Sequence, residues 1–198
     1  MIGIIDYGMG NLKSVSNALT FLGANHFISD DYEALRKADK LILPGVGAFK
    51  DAIELINDKG FDKLLIEARD LNKPILGICL GMQLMFDTST EFGEHKGLGL
   101  IKGDIVKFDI DLKIPHMGWN KLNIHKEAPL FKGLPKDSYV YFVHSYHLET
   151  EEDVVSATTN YGKEVQVAAQ VGNVFALQFH PEKSGDVGLA ILKNFIEL

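Results

Sequence analysis

The only cysteine of this 198-residue chain lies between two glycines, in the segment G-I-C-L-G at residues 77–81. An apolar run at 75–78 predicts a buried strand before it, and the residues after it are typical of a helix. A sharp turn from strand to helix exposes the side chain at the turn, and small residues nearby let backbone and substrate approach closely. The pattern predicts a nucleophile elbow with Cys79 at its tip.

The predicted position of Cys79 also favours its reactive form. A helix N-terminus stabilises a thiolate, because the positive ends of the peptide dipoles point there. Most free cysteines instead fill a core as small apolar residues, and that is the alternative for Cys79. The two flanking glycines favour the nucleophile.

A cysteine that attacks a carbonyl needs a base, and the base needs a group that orients it. Among the seven histidines the best candidate is His180, which ends an apolar run and is followed two positions later by Glu182. Extended residues at i and i+2 point to the same side, and Pro181 between them biases His180 away from helix. We expect Glu182 to accept a hydrogen bond from the imidazole. A surface turn is the alternative reading of His-Pro-Glu.

Attack on a carbonyl also requires donors for the developing oxyanion. The backbone N–H of Leu80, directly after Cys79, is one candidate. A second could come from the loop P-G-V-G at 44–47, where the peptides of Val46 and Gly47 can orient freely. By itself such a loop is more often an ordinary turn. It is not a phosphate loop, since G-x-x-x-x-G-K-[ST] occurs nowhere in the chain.

Composition narrows the class of protein. With 46% hydrophobic and 24% charged residues, residues 1–198 can form a single domain whose core needs neither disulfide nor metal. One cysteine, an early Asp6 and no long apolar run predict a cytoplasmic protein without a membrane segment. The 20 basic and 27 acidic residues give a net charge of −7, which argues against nucleic acid as a partner. The histidines show no spacing typical of a metal site.

Short β-rich runs alternate with helical periodicity, as in α/β proteins. In the first half we predict strands at 2–6, 26–29, 41–43 and 75–78, a helix that ends at Gly23, and a helix over 48–70 interrupted at Gly60. In the second half we predict strands at 98–108, 139–145, 154–159, 165–171 and 174–179, with a closing helix at 185–196. The expected fold is a mixed, largely parallel sheet flanked by helices, with an additional antiparallel β part. Reactive residues collect at the carboxyl ends of parallel strands, where Cys79 and the 44–47 loop both fall.

Six segments of this chain, in this order, carry a resemblance to a known family. They are D-Y-G-M-G-N-L at 6–12, P-G-V-G at 44–47, G-I-C-L-G-M-Q at 77–83, P-H-M-G-W-N at 115–120, Y-F-V-H-S-Y at 141–146 and H-P-E-K-S at 180–184. Together they resemble the triad-type (class I) glutamine amidotransferases and, within them, the glutaminase subunits of imidazole glycerol phosphate synthases. The resemblance implies the flavodoxin-like fold of that family.

The resemblance implies roles for individual residues. Cys79 would attack the side-chain amide of L-glutamine and release ammonia through a γ-glutamyl thioester, with His180 moving protons and Glu182 orienting it. No cofactor is implied. The positions that match glutamine-binding residues of the family are Gly47, Gln83, Glu91, Ser145 and Tyr146. On a helix, Gln83 would share the face of Cys79. Glu91 could pair with an ammonium group, or could be a solvated loop carboxylate.

The resemblance also implies a partner. In the family, ammonia crosses within a heterodimer to a (β/α)8-barrel cyclase subunit, HisF. There the ribonucleotide PRFAR is converted to imidazole glycerol phosphate and AICAR in histidine biosynthesis. Asn11, Trp119 and Lys183 would face that partner. Trp119, the only tryptophan, could instead belong to the core, although its polar neighbours favour an edge or interface position.

Three other functions remain open from the sequence. A partner-independent cysteine hydrolase on a related α/β fold would share the elbow, but the segment at 115–120 counts against it. A related amidotransferase subunit could feed a different synthase. A noncatalytic binding module fits poorly with an intact set of Cys79, His180 and Glu182.

Overall fold

The centre of the molecule is a block of parallel strands. The structure, a computed structural model, describes residues 1–126 and 128–198. The parallel strands are Ile2–Ile5 (β1), His26–Ser29 (β2), Lys40–Gly45 (β3), Ile75–Cys79 (β4) and Val174–Leu177 (β14). Their order across the sheet is β2-β1-β3-β4-β14. This order places the ends of β3, β4 and β14 side by side at one edge of the sheet.

Helices cover both faces of this block, which explains the nearly continuous apolar sequence of its central strands. The helices are Leu12–Phe21 (α1), Tyr32–Arg36 (α2), Phe49–Asp58 (α3), Phe61–Asp70 (α4), Leu80–Gln83 (α5) and Gly185–Glu197 (α6). Leu41 and Leu43 of β3 pack in one core with α2, α3 and α4, whereas Ile42 packs with α1 and α6 in a second core. No helix in the described residues has the length and apolar character needed to cross a membrane.

Beyond β14 the sheet becomes largely antiparallel. The further strands are Thr88–Ser89 (β5), His95–Lys96 (β6), Asp104–Lys107 (β7), Asn123–Ile124 (β9), Tyr146–Glu149 (β11), Val155–Asn160 (β12) and Glu164–Val171 (β13). β13 pairs antiparallel with β14, β12 and β11, and β11 continues to β7. Among the described strands beyond β14, only β5 and β7 pair in parallel. Two more strands, His116–Lys121 (β8) and Tyr139–His144 (β10), form a separate antiparallel sheet. The predicted mixed sheet with an antiparallel second part is confirmed.

The element predictions fail in several places, since no helix or strand was predicted over α2, β5, β6, β8, β9 or β11. Two of the failures have a clear physical reason. Residues 98–103 are not part of a strand, because the N–H groups of Leu98 and Leu100 donate to Leu84 and Met85 just after α5. Only residues 104–107 of the predicted strand at 98–108 join a sheet. β8 was not predicted as a strand, since the alternation of Met117 and Trp119 spans only three residues and glycine and asparagine are depleted in strands.

Candidate active site

Cys79 is the last residue of β4 and the residue before α5, at the tip of the elbow that the sequence predicts. Its backbone has φ 54° and ψ −113°, a combination that residues with a side chain rarely adopt. Such conformations persist only where the surrounding structure holds them in place. In the sheet register Gly45 of β3 lies opposite Cys79, so the end of β3 is its direct neighbour.

Glycine is required where the elbow packs against β3. A Cβ atom on Gly81 would lie 1.8 Å from the carbonyl oxygen of Leu43, and one on Gly45 would lie 2.7 Å from the backbone nitrogen of Gly81. The two backbones therefore touch with no side chain between them. This close approach brings the following residues, Val46 and Gly47, to the cavity into which Cys79 opens.

His180 and Glu182 form a buried pair. The imidazole Nδ1 lies 2.8 Å from Glu182 Oε1, and the two side chains are only 2% and 0% exposed. With Nδ1 engaged by the carboxylate, the buried Nε2 is the nitrogen left for Cys79. Burial disfavours the imidazolium, but hydrogen bonds and charge interactions with Cys79 and Glu182 outweigh it and raise the pKa of His180 to about 9.

Strand β10 holds the segment that carries this pair. The N–H of His180 donates to the carbonyl of Tyr141 at 3.0 Å. The hydroxyl of Ser184 accepts from the N–H of Tyr141 at 3.0 Å and donates to the carbonyl of His180 at 2.6 Å. The position of the base is thus tied to the two-stranded sheet.

Cys79 and His180 open into a cavity of about 420 Å³, within the size range of sites for small molecules. The structure brings together around this cavity the residues predicted for the oxyanion and for glutamine, which are Val46, Gly47, Leu80, Gln83, Glu91, Ser145 and Tyr146. Pro115, Val143 and His144 complete its lining. Glu182 lies behind His180, as its orienting role requires.

Two of the predicted glutamine-binding residues are also held by protein groups. Gln83 donates through Nε2 to the carbonyl of Tyr146 at 3.3 Å and to Oε1 of Gln178 at 2.9 Å. Glu91 accepts through Oε2 from the N–H of Phe49 at 2.6 Å, in the first turn of α3. That position suits a carboxylate, because the first-turn N–H groups of a helix lack internal acceptors. Protein groups thus hold both side chains in place.

The sequence interpretation missed a buried pair of histidines beside the cavity. His116 Nδ1 lies 3.0 Å from His144 Nε2, and His144 Nδ1 lies 2.8 Å from the carbonyl of Tyr146. Burial lowers the pKa of His116 to about 4 and that of His144 to about 3. Both imidazoles are therefore neutral near pH 7, where they position the backbone beside Tyr146.

The residues predicted to face a partner lie in different environments. Trp119 is 57% exposed on β8, and Lys183 is exposed directly after Glu182. Asn11 is only half-buried at the start of α1, where a side chain usually caps the helix. Its Nδ2 instead donates to Oε1 of Glu182 at 3.2 Å, a contact with the candidate triad that the sequence did not predict.

An elbow cysteine, a carboxylate-bound histidine and a glycine loop at one edge of an α/β sheet are suited to acyl transfer from an amide. The sequence matches the class I glutamine amidotransferase family over residues 3–198, and the chain belongs to this family. It is 50% identical over 195 residues to imidazole glycerol phosphate synthase subunit HisH of Bacillus cereus strain G9842, across 98% of this chain and 93% of that protein.

Another relative and a solved structure agree with this assignment. Imidazole glycerol phosphate synthase subunit HisH of Shouchella clausii strain KSM-K16 is 52% identical over 204 residues, which cover 100% of this chain and 98% of the relative. The structure of PurLQS from Thermotoga maritima superimposes with a TM-score of 0.77 at 19% identity, covering 99% of this chain and 97% of that one. At that identity the second likeness concerns the fold alone.

Proposed function

We propose that this chain is the glutaminase subunit of an imidazole glycerol phosphate synthase. It would hydrolyse L-glutamine to L-glutamate and ammonia, and pass the ammonia to a cyclase subunit in histidine biosynthesis. The observation that carries the proposal is the identity of about one residue in two, over nearly the whole chain, to proteins named HisH. The single thiol, which must stay reduced to react, fits the cytoplasm.

The first half-reaction forms a thioester. Cys79 and His180 form a thiolate–imidazolium pair, with the proton on Nε2 of His180, and the sulfur attacks the side-chain carbonyl carbon of glutamine. A C–S bond forms, and the carbonyl oxygen becomes negatively charged. When this intermediate collapses, the C–N bond breaks and the leaving nitrogen takes the proton from His180 as ammonia departs. Glu182 keeps the imidazole oriented throughout.

The second half-reaction consumes water. His180 takes a proton from a water molecule, and the resulting hydroxide attacks the thioester carbon. The C–S bond breaks, the sulfur regains a proton from His180, and glutamate leaves. The overall balance is glutamine plus water to glutamate plus ammonia.

The surrounding groups would stabilise the negative oxygen and hold the substrate. The N–H of Leu80 belongs to the first turn of α5, where such groups have no acceptor within the helix. Together with an N–H from the Val46-Gly47 segment it would form the oxyanion hole. Glu91 would pair with the α-ammonium of glutamine, and Gln83, Ser145 and Tyr146 would contact the rest of the amino acid.

The proposed partner is a (β/α)8-barrel cyclase, HisF, in a heterodimer. The outer face of the two-stranded sheet exposes Met117, Trp119 and Tyr139, a group of large apolar side chains typical of a protein interface. In the sheet register Met117 pairs with Val143, which lines the Cys79 cavity. A partner docked on this face would lie next to the cavity that produces ammonia.

Glutamate release measured with and without the cyclase and its nucleotide ligand tests the proposal. We expect weak activity from the chain alone, strong stimulation by the liganded partner, and a loss of at least about 1,000-fold in Cys79→Ala. High activity that no barrel partner changes would favour the partner-independent hydrolase. Activity that survives in Cys79→Ala would disprove the nucleophile.

A further inference from the structure

Gln178 is a buried amide next to the candidate nucleophile. It follows β14 directly and is 0% exposed. Because Leu177 of β14 pairs with Ile78 of β4, the next residues along the two parallel strands, Gln178 and Cys79, are also neighbours. The N–H of Gln178 donates to the carbonyl of Val167 on β13, so its backbone is held on the opposite side as well.

The orientation of the Gln178 amide is determined by its neighbours. The carbonyl of Tyr146 can only accept a hydrogen bond, so the group of Gln83 that faces it must be the NH2. The same NH2 lies 2.9 Å from Gln178 and requires an acceptor, which makes that atom Oε1. The NH2 of Gln178 therefore points the other way, toward Sγ of Cys79 at 3.9 Å.

The groups around the sulfur make this donor important. The carbonyl of Val143 lies 4.0 Å from Sγ, where it accepts a bond from the thiol but repels the thiolate. A donor on another side offsets that repulsion, and hydrogen bonds to charged atoms are about twice as strong as those between neutral groups. Cys79 is only 8% exposed, and beside such a buried atom a fixed donor costs no reorganisation when charge develops.

We propose that Gln178 is a further catalytic residue, whose side-chain N–H donates to the Cys79 thiolate and stabilises it before and after each acyl transfer. Gln83 acts as a positioning residue for it, because its own NH2 holds the Gln178 carbonyl away from the sulfur. The inference rests on the proposed function, in which Cys79 is the nucleophile.

The test is the pH profile of Cys79 alkylation by iodoacetamide, without glutamine or any partner. Since Cys79 is the only cysteine, the reaction reports on one site. In Gln178→Met, of similar length but without a donor, we expect alkylation about 10-fold slower at pH 7 and a profile midpoint about one pH unit higher. The plateau rate at high pH should be retained, because the sulfur is fully ionised there in both proteins.

Gln170→Met is the matched control. Gln170 lies on β13, and among the described residues its side-chain amide donates only to the carbonyl of Gly172. This variant should keep the wild-type profile. Gln178→Asn keeps an amide but is one methylene shorter, so its midpoint should fall between those of wild type and Gln178→Met. Circular dichroism verifies folding, and if Gln178→Met does not fold, Gln178→Asn decides.

Each result supports or overturns the proposal. A wild-type midpoint in the Gln178 variants would overturn it, and so would a lower plateau with an unchanged midpoint, which would indicate a purely structural role. The proposed function fails separately, if wild-type protein alkylated at Cys79 still releases glutamate. The two failures are thus distinguished by different measurements on the same samples.

Discussion

At the scale of single residues, the candidate site depends on two buried charges, those of the Glu182 carboxylate and the His180 imidazolium. One oxygen of Glu182 accepts from both His180 and Asn11, and its other oxygen is buried without a partner among the described residues. A buried carboxylate of this kind is stabilised chiefly by the imidazolium beside it. His180 therefore contributes to stability as well as to chemistry.

The raised pKa of His180 predicts how this contribution varies with pH. In the folded state the pKa of His180 is about 9, compared with an ordinary value of 6.5. Folding therefore favours the protonated imidazole. The stabilisation is complete below about pH 6.5 and is lost as the pH rises through 9. Glu182→Gln removes the carboxylate that helps to raise this pKa. The difference in urea unfolding free energy between wild type and Glu182→Gln should therefore shrink from pH 6.5 to pH 9.

Glu197→Gln is the control for that experiment, because Glu197 is exposed and its one ion pair in the described part of the chain is with Lys193, in α6. The difference in unfolding free energy between wild type and Glu197→Gln should stay small and constant from pH 6.5 to pH 9. A difference for Glu182→Gln that is constant, or that grows with pH, would contradict a stabilising imidazolium.

The sequence predicted the site residues that lie close together along the chain better than those joined only by folding. His180 and Glu182 were paired correctly in space, although residues 181–183 form a 3-10 turn and not the extended backbone from which the pairing was inferred. The same rule could have found Gln178, two positions before His180, but a glutamine next to an apolar run carries no chemical signal by itself. The contact of Asn11 with Glu182 spans 171 residues, and no local pattern indicates it.

At the scale of elements, the elbow exists because two glycines let backbone meet backbone. We predict that Gly81→Ala lowers the free energy of unfolding by at least about 3 kcal/mol, since its methyl group would overlap the Leu43 carbonyl. Urea unfolding measures this loss. Glutamate release should fall in the fraction that still folds, because Cys79 can no longer keep its backbone conformation.

Gly23→Ala serves as the comparison for Gly81→Ala. Gly23 differs from Gly81 in two ways: its φ of 71° disfavours a side chain, whereas the φ of Gly81 is not positive, and no described atom beyond its chain neighbours lies within 4 Å of its missing Cβ. Gly23→Ala should lower the free energy of unfolding by only about 1 kcal/mol. Equal losses in the two variants would contradict a cost from close packing at Gly81.

The elements best predicted from sequence are those that a pattern within their own residues marks. β2 has the predicted bounds, and the helix over 48–70 is divided at Gly60 into α3 and α4 as expected. Strands defined by distant partners were harder to predict. β8 exists because Tyr139–His144 pairs with it, and periodicity within one segment cannot reveal such a partner.

At the scale of the whole molecule, the two-stranded sheet connects an exposed surface to His180. Its exposed face carries Trp119, which packs edge to face on Tyr141, and the backbone of Tyr141 bonds to both His180 and Ser184. Under the proposed function this face meets the cyclase. Trp119→Ala should weaken the complex about 30-fold or more in a calorimetric titration, as expected for a central aromatic anchor.

Leu71→Ala provides a control with a comparably exposed apolar residue. Leu71 is 66% exposed at the end of α4, shortly before β4 begins, and so at the opposite end of the parallel strands from Cys79. The Leu71→Ala variant should bind the partner with the affinity of wild type. Equal weakening by both substitutions, or none by Trp119→Ala, would place the interface elsewhere on the molecule.

The solitary cysteine has a consequence for damage by peroxide. Enzymes with a second cysteine near the reactive one can turn a sulfenic acid into a disulfide, which thiols then reduce. This chain has one cysteine, so an oxidised Cys79 cannot form a disulfide within its own chain. Reduction of the oxidised sulfur therefore depends on a small external thiol that enters the cavity. A molecule that stays bound over the cavity would protect the sulfur from oxidation and would also prevent its reduction.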